Sequence, residues 1–149
     1  MESRFEDTLK CVHSNKSLDM AAVHVQVLLR MNRLDLAMRE LAVMQSMSDD
    51  ATLTILAGAW CNVFRGGEYV DEAFRTFEDL RERFGQTPVI LNGLAACHMA
   101  REEFVRAEEL LQLVLQVSML LSVELNGPGY GTHRAFLYRF GIFVIEQHE

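Results

Sequence analysis

Proline is nearly missing from this sequence of 149 residues: only Pro88 and Pro128 occur. A chain with so few forced backbone breaks is free to be helical over most of its length. Cysteine is scarce and odd in number, with Cys11, Cys61 and Cys97. Their spacing matches neither a metal site nor a redox pair, and reduced thiols in a cytosolic setting are expected. Positive charge is in the minority, 14 Lys and Arg against 21 Asp and Glu, for a formal net charge of -7. Nonspecific attraction to nucleic acid or acidic lipid is therefore not expected. No apolar run reaches about 18 residues, the length that reads as a membrane span. The opening MESRFEDTLK lacks the apolar core of a secretory signal. What is present is ordinary for a soluble globular domain, with 50% apolar and 23% charged residues. The length suffices for one domain with a real core.

Apolar residues recur at helical spacing along the chain. Residues 4–14 suggest a short helix with Phe5, Leu9 and Val12 on one side. After a polar break, Asp19 is expected to cap a helix running to about Met31, with Ala21, Val25, Leu28 and Leu29 inward. Asn32 and Arg33 make a turn, and the next helix carries Leu34, Ala37, Leu41 and Met44. Ser48, Asp49 and Asp50 offer caps to a helix with Leu53, Leu56, Ala57 and Trp60. Gly66 and Gly67 break it, and Val70, Ala73, Phe77 and Leu80 follow on another. Thr87 as N-cap and Pro88 at the first helical position open the last pair. Its first helix shows Leu91, Leu94, Ala95 and His98, and its second Phe104, Ala107, Leu111 and Val114. Only the charged turn Arg101, Glu102, Glu103 separates them. Two amphipathic helices joined so closely lie antiparallel and share a seam. Small residues at Gly93, Ala95, Ala96 and Ala107 are expected to let the two backbones approach.

The second helices share one pattern. Offsets of +3, +7 and +10 hold from Leu34, from Val70 and from Phe104. A small residue recurs at Ala37, Ala73 and Ala107, at steps of 36 and 34 residues. Leu53, Leu56, Ala57 and Trp60 map onto Leu91, Leu94, Ala95 and His98, each 38 residues on. The mismatch between steps of 38 and 34 implies a four-residue insertion in the middle pair, expected at Gly66 and Gly67. A period near 34 with two helices and an alanine in the second is the tetratricopeptide (TPR) pattern. The expected fold is thus all-α: a TPR-like alpha-solenoid of about three helix-turn-helix repeats over residues 18–118. A lead-in helix at 1–17 precedes it, and an irregular tail at 119–149 follows. Repeat packing is assigned to Leu34, Ala37, Leu41, Val70, Ala73, Phe77, Phe104, Ala107, Leu111 and Trp60.

Stacked hairpins leave a concave surface lined by the first helices, suited to an extended or helical peptide. TPR geometry places Thr54, Gly58, Cys61, Asn62, Asn92, Ala96 and Met99 toward that groove. Catalytic chemistry is not assembled. Cys97 and His98 are adjacent on a helix, so their side chains diverge by about 100°. His98 stands where a TPR usually carries an aromatic, and core packing is its expected role. His133 and His148 have no metal spacing with any cysteine. Gly66 and Gly67 lack the lysine of a phosphate loop. Met31, Met38 and Met44 lie on or near packing seams and read as core filling. No catalytic residue, cofactor, metal ligand or small-molecule substrate is assigned, and the chain is not expected to be an enzyme.

Several segments go beyond a generic repeat. DATLTILAGAW (residues 50–60), GGEYVDEAFRTFEDL (66–80), LNGLAACHMA (91–100) and VQVLLRMNRLDLAMRELAVMQ (25–45) resemble the epsilon subunit of coatomer, the COPI vesicle coat. The resemblance runs from about residue 18 to 117. It implies a non-catalytic structural subunit that binds the alpha subunit of coatomer and supports Golgi-to-ER retrograde and intra-Golgi transport. It also implies a cytoplasmic protein, peripheral on Golgi membranes and COPI vesicles through the coat, without nucleic acid. The rival reading is a TPR co-chaperone or adaptor that clamps charged peptide tails. The first helices offer Asn62 and Asn92 but almost no basic residues for such a clamp. Family chains are considerably longer, with more repeats ahead of this part. After residue 117 the sequence departs from the family pattern, reaching Gly127, Pro128 and Gly129 and then a largely apolar run at 135–145. That tail reads either as a new docking segment or, by preference, as an alternative or misread C-terminal exon without an evolved role. Without a following hairpin, Leu110, Leu113 and the apolar residues of 115–121 are expected to leave a sticky end and some self-association.

Overall fold

Each apolar-periodic stretch that the computed structural model describes, over residues 17–124 with side-chain surroundings through Met119, is helical. The expected helix at 4–14 and the tail beyond Glu124 lie outside the described residues. In chain order the helices are α1 (Leu18–Arg30), α2 (Leu34–Met47), α3 (Thr52–Arg65), α4 (Tyr69–Phe84), α5 (Pro88–Ala100) and α6 (Phe104–Glu124). No strand occurs among the described residues. The helix-turn-helix succession of a TPR-like fold is therefore present, and the chain divides into two compact units after Tyr69.

In the first unit α1 packs on both α2 and α3, and α2 packs on α3. Ala22, Val25 and Leu29 of α1 are buried, as are Ala37, Leu41 and Met44 of α2 and Leu56, Ala57 and Trp60 of α3. The cap of α1 is Ser17, not Asp19: the Ser17 hydroxyl accepts the Met20 N–H at 3.3 Å. Asp19 sits in the first turn, where its charge faces the positive end of the helix dipole. The start of α3 also differs from expectation. Its N-cap is Ala51, with no side-chain cap. Instead the Thr54 hydroxyl donates to the Ser48 carbonyl at 2.7 Å, tying the α2–α3 connection shut.

The α1–α2 and α5–α6 turns are the same device, used twice. After α1, Asn32 N–H donates to Leu29 C=O and Arg33 N–H to Leu28 C=O. After α5, Glu102 N–H donates to Met99 C=O and Glu103 N–H to His98 C=O. This is the Schellman closure, which needs one residue in the left-handed region. Asn32 (φ 55°) and Glu102 (φ 62°) fill it. Asparagine tolerates that conformation, whereas a glutamate Cβ crowds its own carbonyl. Glu102→Gly is expected to raise stability by about 0.5–1 kcal/mol, the relieved crowding less glycine's backbone entropy. Urea unfolding midpoints of the two proteins check this; a lower midpoint for Glu102→Gly would contradict it.

The four extra residues of the middle pair are not in its turn. Residues 66–68 form a three-residue connection, the same length as 31–33 and 101–103. α3 runs five residues past Trp60, whereas α5 runs two past His98, and α4 starts one residue before Val70. The insertion is one added helical turn split between two helices. An insert of about 3.6 residues returns each apolar face to its original side, so the pattern downstream stays in phase. Gly66 and Gly67, both at positive φ, still end α3.

In the second unit α5 is capped as expected, with Thr87 Oγ1 accepting the Ile90 N–H at 3.5 Å and Pro88 in the first turn. α5 is not amphipathic, however: residues 88–98 are all buried. Only Asn92 and His98 interrupt its apolar or small residues, and a helix apolar all round is a helix enclosed all round. Gly93 differs from expectation too. A Cβ there would lie 2.3 Å from the ring of Phe77, so its smallness admits an α4 side chain rather than the α6 backbone. α6 packs on α5 through the face holding Ala107 and Val114, both buried. It continues through Glu124, past the point where irregular chain was expected, because no glycine or proline occurs before Gly127.

Candidate functional site

The candidate groove residues fall into two groups. Thr54 (3% exposed), Asn92 (1%) and Ala96 (5%) are buried, and Cys61 is fully enclosed. Thr54 is committed to the Ser48 carbonyl, and Asn92 and Ala96 lie on the enclosed helix α5. None of these four offers surface to a partner. Gly58 and Asn62 of α3 and Met99 of α5 are half-buried and keep accessible atoms. Helical phase alone located these residues, and it is blind to how many sides of a helix its neighbours cover.

Of the residues assigned to repeat packing, Ala37, Leu41, Trp60, Val70, Ala73, Phe77 and Ala107 are buried. Leu34 and Leu111 are half-buried. Phe104 stands 65% exposed at the first position of α6 and does not pack in a core in this structure. Met44 is fully buried, but Met31 is exposed and does not fill the core.

A polar cluster at the α5–α6 turn was not anticipated. His98 Nδ1 lies 2.6 Å from Glu103 Oε2. The His98 ring meets the edge of Phe74 on α4, with centroids 5.3 Å apart and planes at 79°. Arg101 lies over the same Phe74 ring at 4.3 Å and hydrogen-bonds Asp71. Arg106 approaches Glu103 at 3.7 Å. The hydrogen bond from His98, chiefly, holds the Glu103 carboxyl below its usual range. The cluster ties α4 to the end of α5 and to the turn. A histidine at the aromatic position followed five residues later by a glutamate was the one available signal, and only the turn geometry gave it meaning. In the first unit His24 on α1 likewise meets Glu40 on α2, at 3.2 Å.

These contacts decide what Cys97 and His98 can do. The imidazole is engaged by Glu103 and Phe74. The Cys97 thiol is buried, and burial pushes it up to about 12. Burial pushes the Cys61 thiol up to about 12 as well. A thiol so poised is almost wholly protonated at neutral pH and is a poor nucleophile. Among the described residues no group of three His, Cys, Asp or Glu is placed to hold a metal ion, and no helix is long and apolar enough to cross a membrane.

Some large apolar side chains also stand exposed on the described surface. Val43 and Met47 project from α2, and Phe104, Val105, Leu115 and Met119 from α6.

The family described as coatomer epsilon subunit matches residues 1–119. The match reaches ahead of residue 18, where the resemblance in wording began, and ends at the tail. Coatomer subunit epsilon-1 of Arabidopsis thaliana is 42% identical over 110 residues, covering 74% of this chain and 38% of its own length. Coatomer subunit epsilon of Dictyostelium discoideum is 34% identical over 111 residues, with 74% and 37% covered. The Caenorhabditis elegans subunit is 26% identical over 130 residues, with 81% and 44% covered. The chain thus spans less than half the length of these curated relatives. The family match over most of its residues, set on a helix-turn-helix scaffold, shows that the chain belongs to the coatomer epsilon subunit family.

Proposed function

We propose that this chain is a non-catalytic structural component of the COPI vesicle coat that acts by holding the alpha subunit of coatomer. It works in the cytoplasm, peripheral on Golgi membranes and COPI vesicles through the coat, in Golgi-to-ER retrograde and intra-Golgi transport. The family match over residues 1–119 carries this reading. The helical-repeat scaffold supports it, because stacked hairpins supply broad surface for another polypeptide. The buried thiols and the tethered His98 support a non-enzymatic role. The co-chaperone reading loses ground, since Asn92, half of its asparagine pair, is enclosed in α5.

Capture from a eukaryotic lysate on the immobilised full chain tests the proposal. The alpha subunit of coatomer is expected to dominate the bound fraction. Asn62→Arg and Met99→Arg, at half-buried positions, are each expected to weaken capture about five- to tenfold, as loss of an interface anchor does. Recovery of chaperones with no coatomer subunit would replace this reading with the co-chaperone one.

A further inference from the structure

Ser48 stands apart from the other hydroxyl side chains of the described residues. Ser17 and Thr87 cap helices, accepting the Met20 and Ile90 N–H groups. Ser46, Thr54 and Thr76 each donate to a main-chain carbonyl. Thr52 and Ser118 lie on α3 and α6 themselves. Among the described residues, Ser48 is the one exposed hydroxyl that lies outside the helices and that no hydrogen bond engages. Its backbone is extended, with φ −164° and ψ 101°. An exposed, extended segment can enter the cleft of a modifying enzyme without first unwinding a helix. Exposed Asp49 and Asp50 follow it directly, a charge pattern that complements an enzyme with basic side chains beside its cleft.

The main chain of the same residue closes the α2–α3 connection from both sides. Ser48 N–H donates to Met44 C=O at 2.9 Å and ends α2. Ser48 C=O accepts the Thr54 hydroxyl at 2.7 Å and holds the start of α3. Met44, one turn back, is fully buried, so this end of α2 is anchored in the core of the first unit. A phosphoserine carries about −1.5 to −2 charge at neutral pH. At position 48 that charge lies at the negative end of the α2 dipole and beside two carboxylates. The last turn of α2 has no basic residue to receive it.

We propose that Ser48 is a phosphorylation site for an acid-directed protein kinase, and that the phosphate loosens the α2–α3 connection. Ser48 Oγ attacks the terminal phosphorus of a nucleoside triphosphate held by the kinase. The Oγ–P bond forms as the bond from that phosphorus to its bridging oxygen breaks. The nucleoside diphosphate leaves, and the hydroxyl proton passes to the base of the kinase. Repulsion from Asp49, Asp50 and the α2 carboxyl end then weakens both closures that run through the Ser48 main chain. The inference stands apart from the proposed coat function, because no step of it involves the alpha subunit.

Two measurements on the full chain test this. The first is peptide mass spectrometry of the chain produced in eukaryotic cells and isolated with phosphatases inhibited. Phosphate is expected on Ser48, and Asp49→Asn together with Asp50→Asn is expected to lower its occupancy about tenfold. The second compares amide hydrogen exchange of the chain carrying phosphoserine at position 48, installed during translation, with that of the unmodified chain. Exchange over residues 44–54 is expected to quicken about two- to fivefold, the effect of a like charge at a helix end, while residues 88–100 stay unchanged. Ser48→Ala exposes no new charge and is expected to leave exchange over 44–54 as it was. A Ser48 peptide found without phosphate, or phosphate confined to Ser46 or Thr52, would overturn the site. Exchange over 44–54 that is unmoved or slowed by the phosphate would overturn the loosening.

Discussion

Gly93→Ala is expected to destabilise the second unit by about 1–3 kcal/mol, the usual cost of forcing a methyl into a packed core. The added Cβ would sit 2.3 to 2.6 Å from three ring atoms of Phe77. Phe77 has no exposed surface, so its ring cannot swing aside without displacing other core groups. Phe77→Ala alone is expected to cost about 3–5 kcal/mol, as removal of a buried aromatic ring does. The informative protein is the double variant. With the ring gone, the methyl added at position 93 meets a cavity instead of a clash, so Phe77→Ala/Gly93→Ala should be no less stable than Phe77→Ala. The coupling between the two sites is expected at about 0.5–3 kcal/mol, typical of residues in direct contact. Urea unfolding of all four proteins measures it. Strictly additive costs would show that the ring does not rest on Gly93.

Alkaline pH is expected to unfold this protein through its two buried thiols. The sign follows from which state holds the proton. In the unfolded chain a cysteine ionises near 9.0, whereas in the folded protein burial pushes Cys61 and Cys97 up to about 12. Arg65 opposes the shift at Cys61. Arg101 opposes it at Cys97, and Asp71 adds to it. Below pH 9 both states keep the proton and the thiols cost nothing. Between 9 and 12 only the unfolded chain ionises, so stability drains away as pH rises. The slope is about 1.4 kcal/mol per pH unit for each thiol, up to about 4 kcal/mol each by pH 12. In a Cys11→Ser background, Cys61→Ala/Cys97→Ala is expected to unfold at a higher pH than its parent. Circular dichroism across pH 8–12 checks this. Parallel loss of structure in both proteins would show that other groups govern the transition.

Much of the fold was legible in the sequence because helix periodicity, caps and breakers are local. The alanines at 37, 73 and 107, one per second helix, are all buried. Thr87 and Pro88 announced the start of α5, and Gly66 and Gly67 the end of α3. Where the local reading failed, several side chains of equal merit competed for one role. Ser17 rather than Asp19 caps α1, because the cap must lie just outside the helix, a matter of a residue or two that sequence leaves open. The candidate groove fared worst. Thr54, Asn92 and Ala96 have the right helical phase, but phase says which way a side chain points and not whether another helix already stands there.

Composition and spacing by themselves determined that this chain is helical, that its helices come in pairs, and that its second helices repeat near 34 residues. These are properties of one helix and its turn, set by interactions a few residues apart. Only the tertiary structure decided that α5 is enclosed on every side, that Gly93 makes room for Phe77, and that His98 and Arg101 close a turn with Glu103, Phe74 and Asp71. Each of these depends on which surface of a neighbouring helix arrives opposite, and that is a matter of packing in space that no single helix encodes.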